Sequence, residues 1–308
     1  MTDKSPDRIG VDFLRGISMC APGMAASADF YTDIWGLAQV PSDDGTVYLR
    51  GTGPEPYIYS LTDGPDFGIE YINFGMTSTA RLLALFAQLE IDGADLSSDP
   101  HDLKTPGGGL GFTLRDPHNR QLRIVADPTP HSDPAPVFAM PAKVSHVVLN
   151  TPDLAQSETF FADILGFRRS DYYVDRMSFM RCNSDHHSIG LFQNAHASAN
   201  HVAFEMPDIN SFMRGIGRMK QNGQVPSWGP GRHGPGNNPF AYFVSPAGFV
   251  IEFTTELQQI DEATHVEQEW IWGDAETGDR WMTAGPPTPA MRAVMLGRPD
   301  TGHPAKGR

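Results

Sequence analysis

The sequence predicts an α+β fold of two tandem modules, each a pair of β-α-β-β-β units forming a cupped, barrel-like sheet with helices outside. Three observations carry that expectation. The stretch FYTDIWGL at Phe30–Leu37 returns as FFADILGF at Phe160–Phe167, and EYINFGM at Glu70–Met76 returns as NHVAFEM at Asn200–Met206. The register of the repeat barely drifts: Gly36 and Gly166, Phe74 and Phe204, and Gly93 and Gly223 are each 130 residues apart, and Pro117 and Pro246 are 129 apart. One register held through four landmarks marks a duplicated module. Each module is also doubled internally, because HVVLNTPD from His146 and HVAFEMPD from His201 both place a Pro-Asp after a β-rich run and ahead of a helical pattern.

Residues 1–127 form the first module, with Pro22 before its first helix and Thr77-Ser78-Thr79 before its second. A Pro-rich linker, residues 128–141, follows, and His131 within it reads as a solvated loop residue. The second module spans 142–257. Its first helix takes Thr151 as N-cap and Pro152 as first helical residue and ends near Gly166; the second runs from about Asp208 to Gly223. A Gly/Pro/Asn-rich loop carrying His233 then leads into an aromatic strand with Tyr242, a turn at Ser245-Pro246-Ala247-Gly248, and a last strand holding Glu252. Residues 258–308 lie outside the repeat. Trp270, Trp272 and Trp281 make this extension too apolar for a free tail, so it should dock on the second module, with the closing TGHPAKGR frayed.

Composition narrows the partners. With 40% hydrophobic and 19% charged residues over 308 positions, the chain reads as soluble and large enough for two domains. A net charge of −14 argues against duplex nucleic acid and anionic membrane, which need clustered cations, and leaves a small molecule. Cys20 and Cys182 cannot build a disulfide framework, and neither a signal-peptide core nor an apolar run of about 20 residues is visible, so a cytoplasmic protein is expected.

The chemistry concentrates in the second module. Glu252 sits among Phe249, Val250, Ile251 and Phe253, where an unpaired carboxylate would be costly and a cation is the natural partner. His146 and His201 open two further strands in equivalent positions and can face each other across the cupped sheet. A lone histidine opening a strand is more often a packing residue, but the symmetric pair with a carboxylate forms the facial triad favoured by Fe(II), with Mn(II) plausible and Zn(II) possible. Gly16, Tyr71 and Arg123 occupy the matching positions of the first module, a set unsuited to a metal. The first-unit strand Ser188–Phe192, matching the one that bears Glu252, has no obvious ligating side chain, which leaves coordination positions open. His187 precedes that strand, with His186 expected to point away; His233 and Tyr242 bracket the loop before Glu252. Histidine suits proton transfer near neutrality, and a phenol can hydrogen-bond an oxyanion. His196 reads as a surface-loop residue.

Over about residues 10 to 257 the chain resembles the type I extradiol ring-cleavage dioxygenases of the vicinal oxygen chelate superfamily, such as 2,3-dihydroxybiphenyl 1,2-dioxygenase and catechol 2,3-dioxygenase. The likeness is most specific at Gly231-x-His233, Tyr242, Pro246-x-Gly248 and Glu252; Ala241 and Ser245 depart from the signature without touching a ligand position. The resemblance implies that His146, His201 and Glu252 ligate Fe(II), that His187 is an acid/base beside the oxygen site, and that His233 and Tyr242 contact substrate oxygens. It further implies a catecholic substrate, O2 as co-substrate, a homo-oligomer and a place in aromatic-compound catabolism. Another metalloenzyme of the same fold, an isomerase, lyase or thiol transferase, and a metal-free aromatic-binding or resistance protein are the alternatives.

Overall fold

The computed structural model describes residues 8–42, 44–65, 67–133 and 137–300. The closing stretch TGHPAKGR, expected to fray, lies outside the described residues. In the first module the strands are β1 (Phe13–Ala21), β2 (Ala38–Val40), β3 (Val47–Arg50), β4 (Tyr59–Asp63), β5 (Gly68–Met76), β6 (His101–Asp102), β7 (Leu110–Arg115) and β8 (Gln121–Ala126), with helix α1 (Thr79–Ile91). The second carries β9 (Lys143–Thr151), α2 (Leu154–Asp163), β10 (Arg168–Tyr173), β11 (Met177–Arg181), β12 (Ile189–Gln193), β13 (Ser198–Glu205), α3 (Ile209–Gln221), β14 (Trp228–Arg232), β15 (Pro239–Val244) and β16 (Val250–Thr254). The extension adds β17 (Gln268–Trp270), α4 (Ala275–Gly278) and α5 (Pro289–Met295).

Among the described residues the first sheet runs β2-β3-β4-β1-β5-β8-β7-β6 and the second β14-β15-β16-β13-β9-β12-β11-β10-β17. Read from opposite ends, the two orders match strand for strand until β17. In each, the two units meet at a central antiparallel pair, β1 with β5 and β9 with β13, and each central strand pairs in parallel with the last strand of its own unit. The fold is therefore the duplicated, twice-paired α+β architecture that the repeat implies.

Local chemistry shifts several boundaries. Asp153, not Thr151, caps α2 by accepting the Gln156 N–H at 2.9 Å, while the Thr151 hydroxyl bonds the Asp153 carbonyl and Ser157. Ser78 and Asp208 cap α1 and α3 in the same manner. The first helix expected after Pro22 is instead a 3-10 turn, Met24–Ser27, followed by a π-helical turn, Phe30–Trp35; neither has a side-chain N-cap. Gly36, at φ 96°, closes the π turn and sets Trp35 fully inside the molecule. His131 is not a solvated loop residue: its imidazole is mostly buried, lies 2.5 Å from the Gly53 carbonyl and contacts Arg50 and Asp133.

The modules share one core. Trp35 stacks on Phe253 with centroids 3.6 Å apart and meets Phe204 and Phe243 edge-on; Phe74 meets Phe167. Arg218 of α3 donates to the carbonyls of Ile34, Trp35 and Ala139 at 2.7 Å each, fastening the second module to the end of the π turn. The extension does more than dock: β17 joins the sheet parallel to β10, and Met291 of α5 packs with Phe240, Tyr242 and Val250. None of the described helices is long and apolar enough to cross a membrane.

Candidate metal centre

Sheet register builds the site. Across β9, β13, β16 and β15 the residues His146, Ala203, Glu252 and Tyr242 are successive partners, so their side chains share one face. His201 lies two residues before Ala203 on the same strand, and the small Ala203 leaves room between the larger groups. The three candidate ligand atoms of His146, His201 and Glu252 lie within 4.8 Å of one another, and all three residues are buried. Glu252 Oε2 is 3.3 Å from His146 Nε2 and 3.2 Å from His201 Nε2. Two ligands at right angles on a divalent ion, each about 2.2 Å from it, would be spaced about 3.1 Å.

Hydrogen bonds behind the imidazoles explain why a cation fits. His201 Nδ1 lies 2.8 Å from the Asn200 carbonyl oxygen, whose amide is fixed in turn by donating to Asn150 Oδ1; His146 Nδ1 lies 3.3 Å from the Ser145 hydroxyl. With the Nδ1 protons committed there, both Nε2 lone pairs face the carboxylate. Both Glu252 oxygens are fully buried, with no hydrogen-bond partner among the described residues. Burial raises the Glu252 carboxyl, and the imidazoles lower it to about 2 only by turning N–H groups toward it; with the Nε2 lone pairs facing it instead, a bound cation would supply that stabilisation. Burial lowers His201 below the usual imidazole range, against the pull of Glu252. Three electron-rich atoms converging in a dry site match the donor set of a divalent metal.

The other candidates surround this triad. The His187 ring is 4.2 Å from that of His146, and burial, followed by the neighbouring histidines, lowers it well below the usual range. Tyr242 meets His201 edge-on at 5.0 Å, and its hydroxyl is 2.9 Å from His233 Nε2. Burial first, then the Glu252 charge, pushes the phenol well above its ordinary value. His233 is lowered to about 4 by burial; its ring stacks on Phe240 at 3.9 Å and its Nδ1 bonds the Gly278 carbonyl of the extension. His196 lies apart from the triad, near the Gly297 carbonyl.

Some features escaped the sequence reading. His186, expected to point away by strand alternation, is fully buried behind His187, bonded to it on one side and to Asp171 on the other. The chain takes a turn before β12 rather than continuing as a strand, so alternation does not apply there. Asn200, adjacent to a ligand candidate and capable of fixing its tautomer, was legible in principle from its place in NHVAFEM. On the first-unit strand, pseudosymmetry puts Gly190 where Glu252 stands in the second. A Cβ at Gly190 would lie 2.8 Å from Val148 Cγ2 and 3.1 Å from Met177 Cε, so apolar side chains fill that corner.

Comparison with known proteins supplies independent findings. A profile of the Glyoxalase/Bleomycin resistance protein/Dioxygenase superfamily matches residues 143–253. The solved Mn(II)-bound glyoxalase from Novosphingobium aromaticivorans is 34% identical with a TM-score of 0.85, covering 92% of this chain and 94% of its own. Metapyrocatechase 2 of Cupriavidus necator is 32% identical over 186 residues, which is 60% of this chain and 51% of that protein, so the chain spans about half the length of this curated relative. The manganese-dependent 2,3-dihydroxybiphenyl 1,2-dioxygenase of Geobacillus genomosp. 3 is 23% identical over 290 residues, covering 83% of this chain and 91% of that enzyme.

Proposed function

The chain belongs to the glyoxalase/bleomycin resistance protein/dioxygenase superfamily, and from that premise we propose that it opens the ring of a catecholic substrate by extradiol cleavage with O2, incorporating both oxygen atoms. His146, His201 and Glu252 hold Fe(II), with Mn(II) as the alternative ion. The observation that carries this reading is a buried His-His-Glu face opposite a corner where Gly190, Val148 and Met177 offer no donor. When bound, the ion supplies Lewis acidity and a path for electrons between catecholate and dioxygen.

Glu252 is the one anionic donor, so the triad leaves a divalent ion at net charge +1 and a catechol monoanion neutralises it. The phenol of Tyr242, kept protonated by its surroundings, donates to His233 Nε2 at 2.9 Å, because the His233 Nδ1–H goes to the Gly278 carbonyl, and its oxygen lone pair is left to accept from a substrate hydroxyl. His187, kept neutral by burial, moves a proton at its imidazole as acid/base, a role worth about 10²- to 10⁴-fold. Trp228 and Phe240, packed on Tyr242 at 5.0 and 5.5 Å, help exclude water. The ring-cleaving names of the two curated relatives support the substrate class. Cys20 and Cys182 form no disulfide among the described residues, which suits a reducing cytoplasm, and a symmetric homo-oligomer is the expected assembly.

The full-length likeness to a Mn(II)-bound glyoxalase favours a second reading, an isomerase or lyase. Such chemistry usually adds a fourth protein ligand, which the filled corner at Gly190 does not provide. One experiment separates the two. Protein loaded anaerobically with Fe(II) or Mn(II) is given a panel of mono-ring, biaryl and trihydroxylated catechols in an oxygen electrode, and in parallel a hemithioacetal. Stoichiometric oxygen uptake with a yellow product is expected; hemithioacetal isomerisation without oxygen uptake would overturn the dioxygenase reading.

A further inference from the structure

Behind His187 runs a buried polar chain that the reaction itself does not touch. His186 Nδ1 is 3.0 Å from His187 Nδ1, and His186 Nε2 is 3.0 Å from Asp171 Oδ2. His186 is fully buried and Asp171 is 4% exposed, so no bulk water competes. Asp171 also accepts the Trp270 indole N–H at 2.8 Å and the Gln268 backbone N–H at 2.9 Å, both from β17 of the extension. An indole and a backbone amide can only donate, so the carboxylate meets two fixed donors; burial raises its carboxyl, but its hydrogen-bond partners outweigh this and hold it below the usual range, so it carries no proton of its own.

That anchor fixes the direction of every bond in the chain. Because Asp171 can only accept, His186 Nε2 holds the proton; because His186 is neutral, its Nδ1 is a bare acceptor; therefore His187 must donate from Nδ1. Burial lowers His186, outweighing the raising pull of Asp171, in keeping with the neutral form. Phe179 packs on both rings, 5.7 Å from His186 and 5.0 Å from His187, and keeps the pair dry.

We propose that Asp171 and His186 are positioning residues that set the tautomer of His187, holding its proton on Nδ1 and leaving Nε2 as the free base. The catalytic consequence rests on the assignment of His187 as acid/base, whereas the tautomer does not. When Nε2 takes a proton, the new imidazolium keeps its Nδ1–H bonded to His186, and the His186 Nε2–H remains bonded to the Asp171 carboxylate; no proton needs to leave the chain. The extension meets this chain at Asp171, through the Trp270 indole and the Gln268 amide.

The test is long-range proton–nitrogen correlation of the imidazoles in full-length ¹⁵N-labelled protein, chelator-treated and, separately, loaded with diamagnetic Zn(II). The expected spectrum has His186 protonated at Nε2 and His187 at Nδ1. His186→Leu should release the bias on His187, while His186→Gln, whose amide can donate to Asp171 and accept from His187, should restore it. Trp270→Phe removes one donor to Asp171 but keeps the His186 bond, so it should leave the tautomer in place and controls for lost packing. In Fe(II)-loaded protein His186→Leu should lower kcat by about 10- to 100-fold with little change in KM, and His186→Gln should recover most of that loss. A wild-type His187 protonated at Nε2, or a His187 tautomer unchanged in His186→Leu, overturns the proposal. If no catechol is turned over, the dioxygenase reading fails alone, because the wild-type spectrum still decides the tautomer.

Discussion

Trp35 belongs to the first module, yet its ring lies flat on Phe253, the residue after Glu252, at 3.6 Å and 9°. Trp35→Ala therefore removes the back wall of the strand that carries the carboxylate. The side chain is fully buried, and truncating a buried Trp costs about 3–5 kcal/mol in lost transfer energy and residual cavity. Unfolding entropy near 2.1 cal/mol/K per residue over 308 residues gives about 0.65 kcal/mol/K, so the melting temperature should fall by about 5–8 °C if both modules unfold together. Trp35→Phe is the informative partner. The indole N–H is buried with no hydrogen-bond partner among the described residues, a defect costing about 1–3 kcal/mol, so losing it should offset much of the lost ring area. Calorimetry and urea unfolding measure both variants, and metal titration should show about 10-fold weaker binding in Trp35→Ala only. A single transition shifted by less than about 2 °C, with metal affinity intact, would refute the claim that the first module supports the ligand strand.

His146→Ala and Glu252→Ala should each lose metal and turnover together, read by elemental analysis; stoichiometric metal in either variant would remove that residue from the ligand set. Deleting residues 267–308 removes Trp270 from Asp171 and the Gly278 carbonyl from His233, so turnover should fall at least about 10-fold, and full activity would reduce the extension to packing. The pH dependence has a definite sign. His233 lies at about 4 when folded and near 6.5 when unfolded, so between those values the unfolded chain binds more protons and metal-free stability falls as pH drops from about 6.5 to about 4. Urea midpoints at pH 7 and pH 5 should differ more in wild type than in His233→Gln, and equal differences would sink the assignment.

How far the sequence reaches depends on whether a feature is periodic or local. The repeat register was legible because Gly36, Gly166, Phe74 and Phe204 end or fill equivalent elements, and the triad because two histidines recur at matching strand positions while one carboxylate stands in an apolar strand. The π turn at Phe30–Trp35 was not, since FYTDIWGL carries nearly the same apolar spacing as FFADILGF, whose first four residues end the α-helix α2, and the first copy lacks the side-chain N-cap that α2 has. Thr151 was a reasonable cap by type, but Asp153 is a carboxylate one residue before the helix and Pro152 donates no N–H. His186 was misplaced because strand alternation was extended through a turn, and its partner Asp171 comes from a strand 15 residues upstream, a pairing no local pattern reveals.

The duplication also shows what a metal site requires beyond ligand identity. Gly16, Asn73 and Arg123 form the row in the first module that His146, Ala203 and Glu252 form in the second, with Tyr71 at the place of His201. Arg123 is buried with its cation over the Tyr71 ring at 3.8 Å and donates to Asn73 and Tyr57, so a guanidinium occupies the middle of this cup. Asn73 fills the space that Ala203 leaves free. Gly16 is the decisive position, because a Cβ there would come within 2.1 Å of the Ile58 carbonyl oxygen, a backbone atom that cannot step aside. Grafting Gly16→His, Tyr71→His and Arg123→Glu should therefore yield an unstable protein without a second metal equivalent, even with Asn73→Ala added. Tyr71→His and Arg123→Glu with Gly16 kept should fold better than the triple variant. A folded triple graft that titrates with two metal ions per chain would show that the strand spacing of β1 and β4 yields, and that side-chain identity alone separates the two modules.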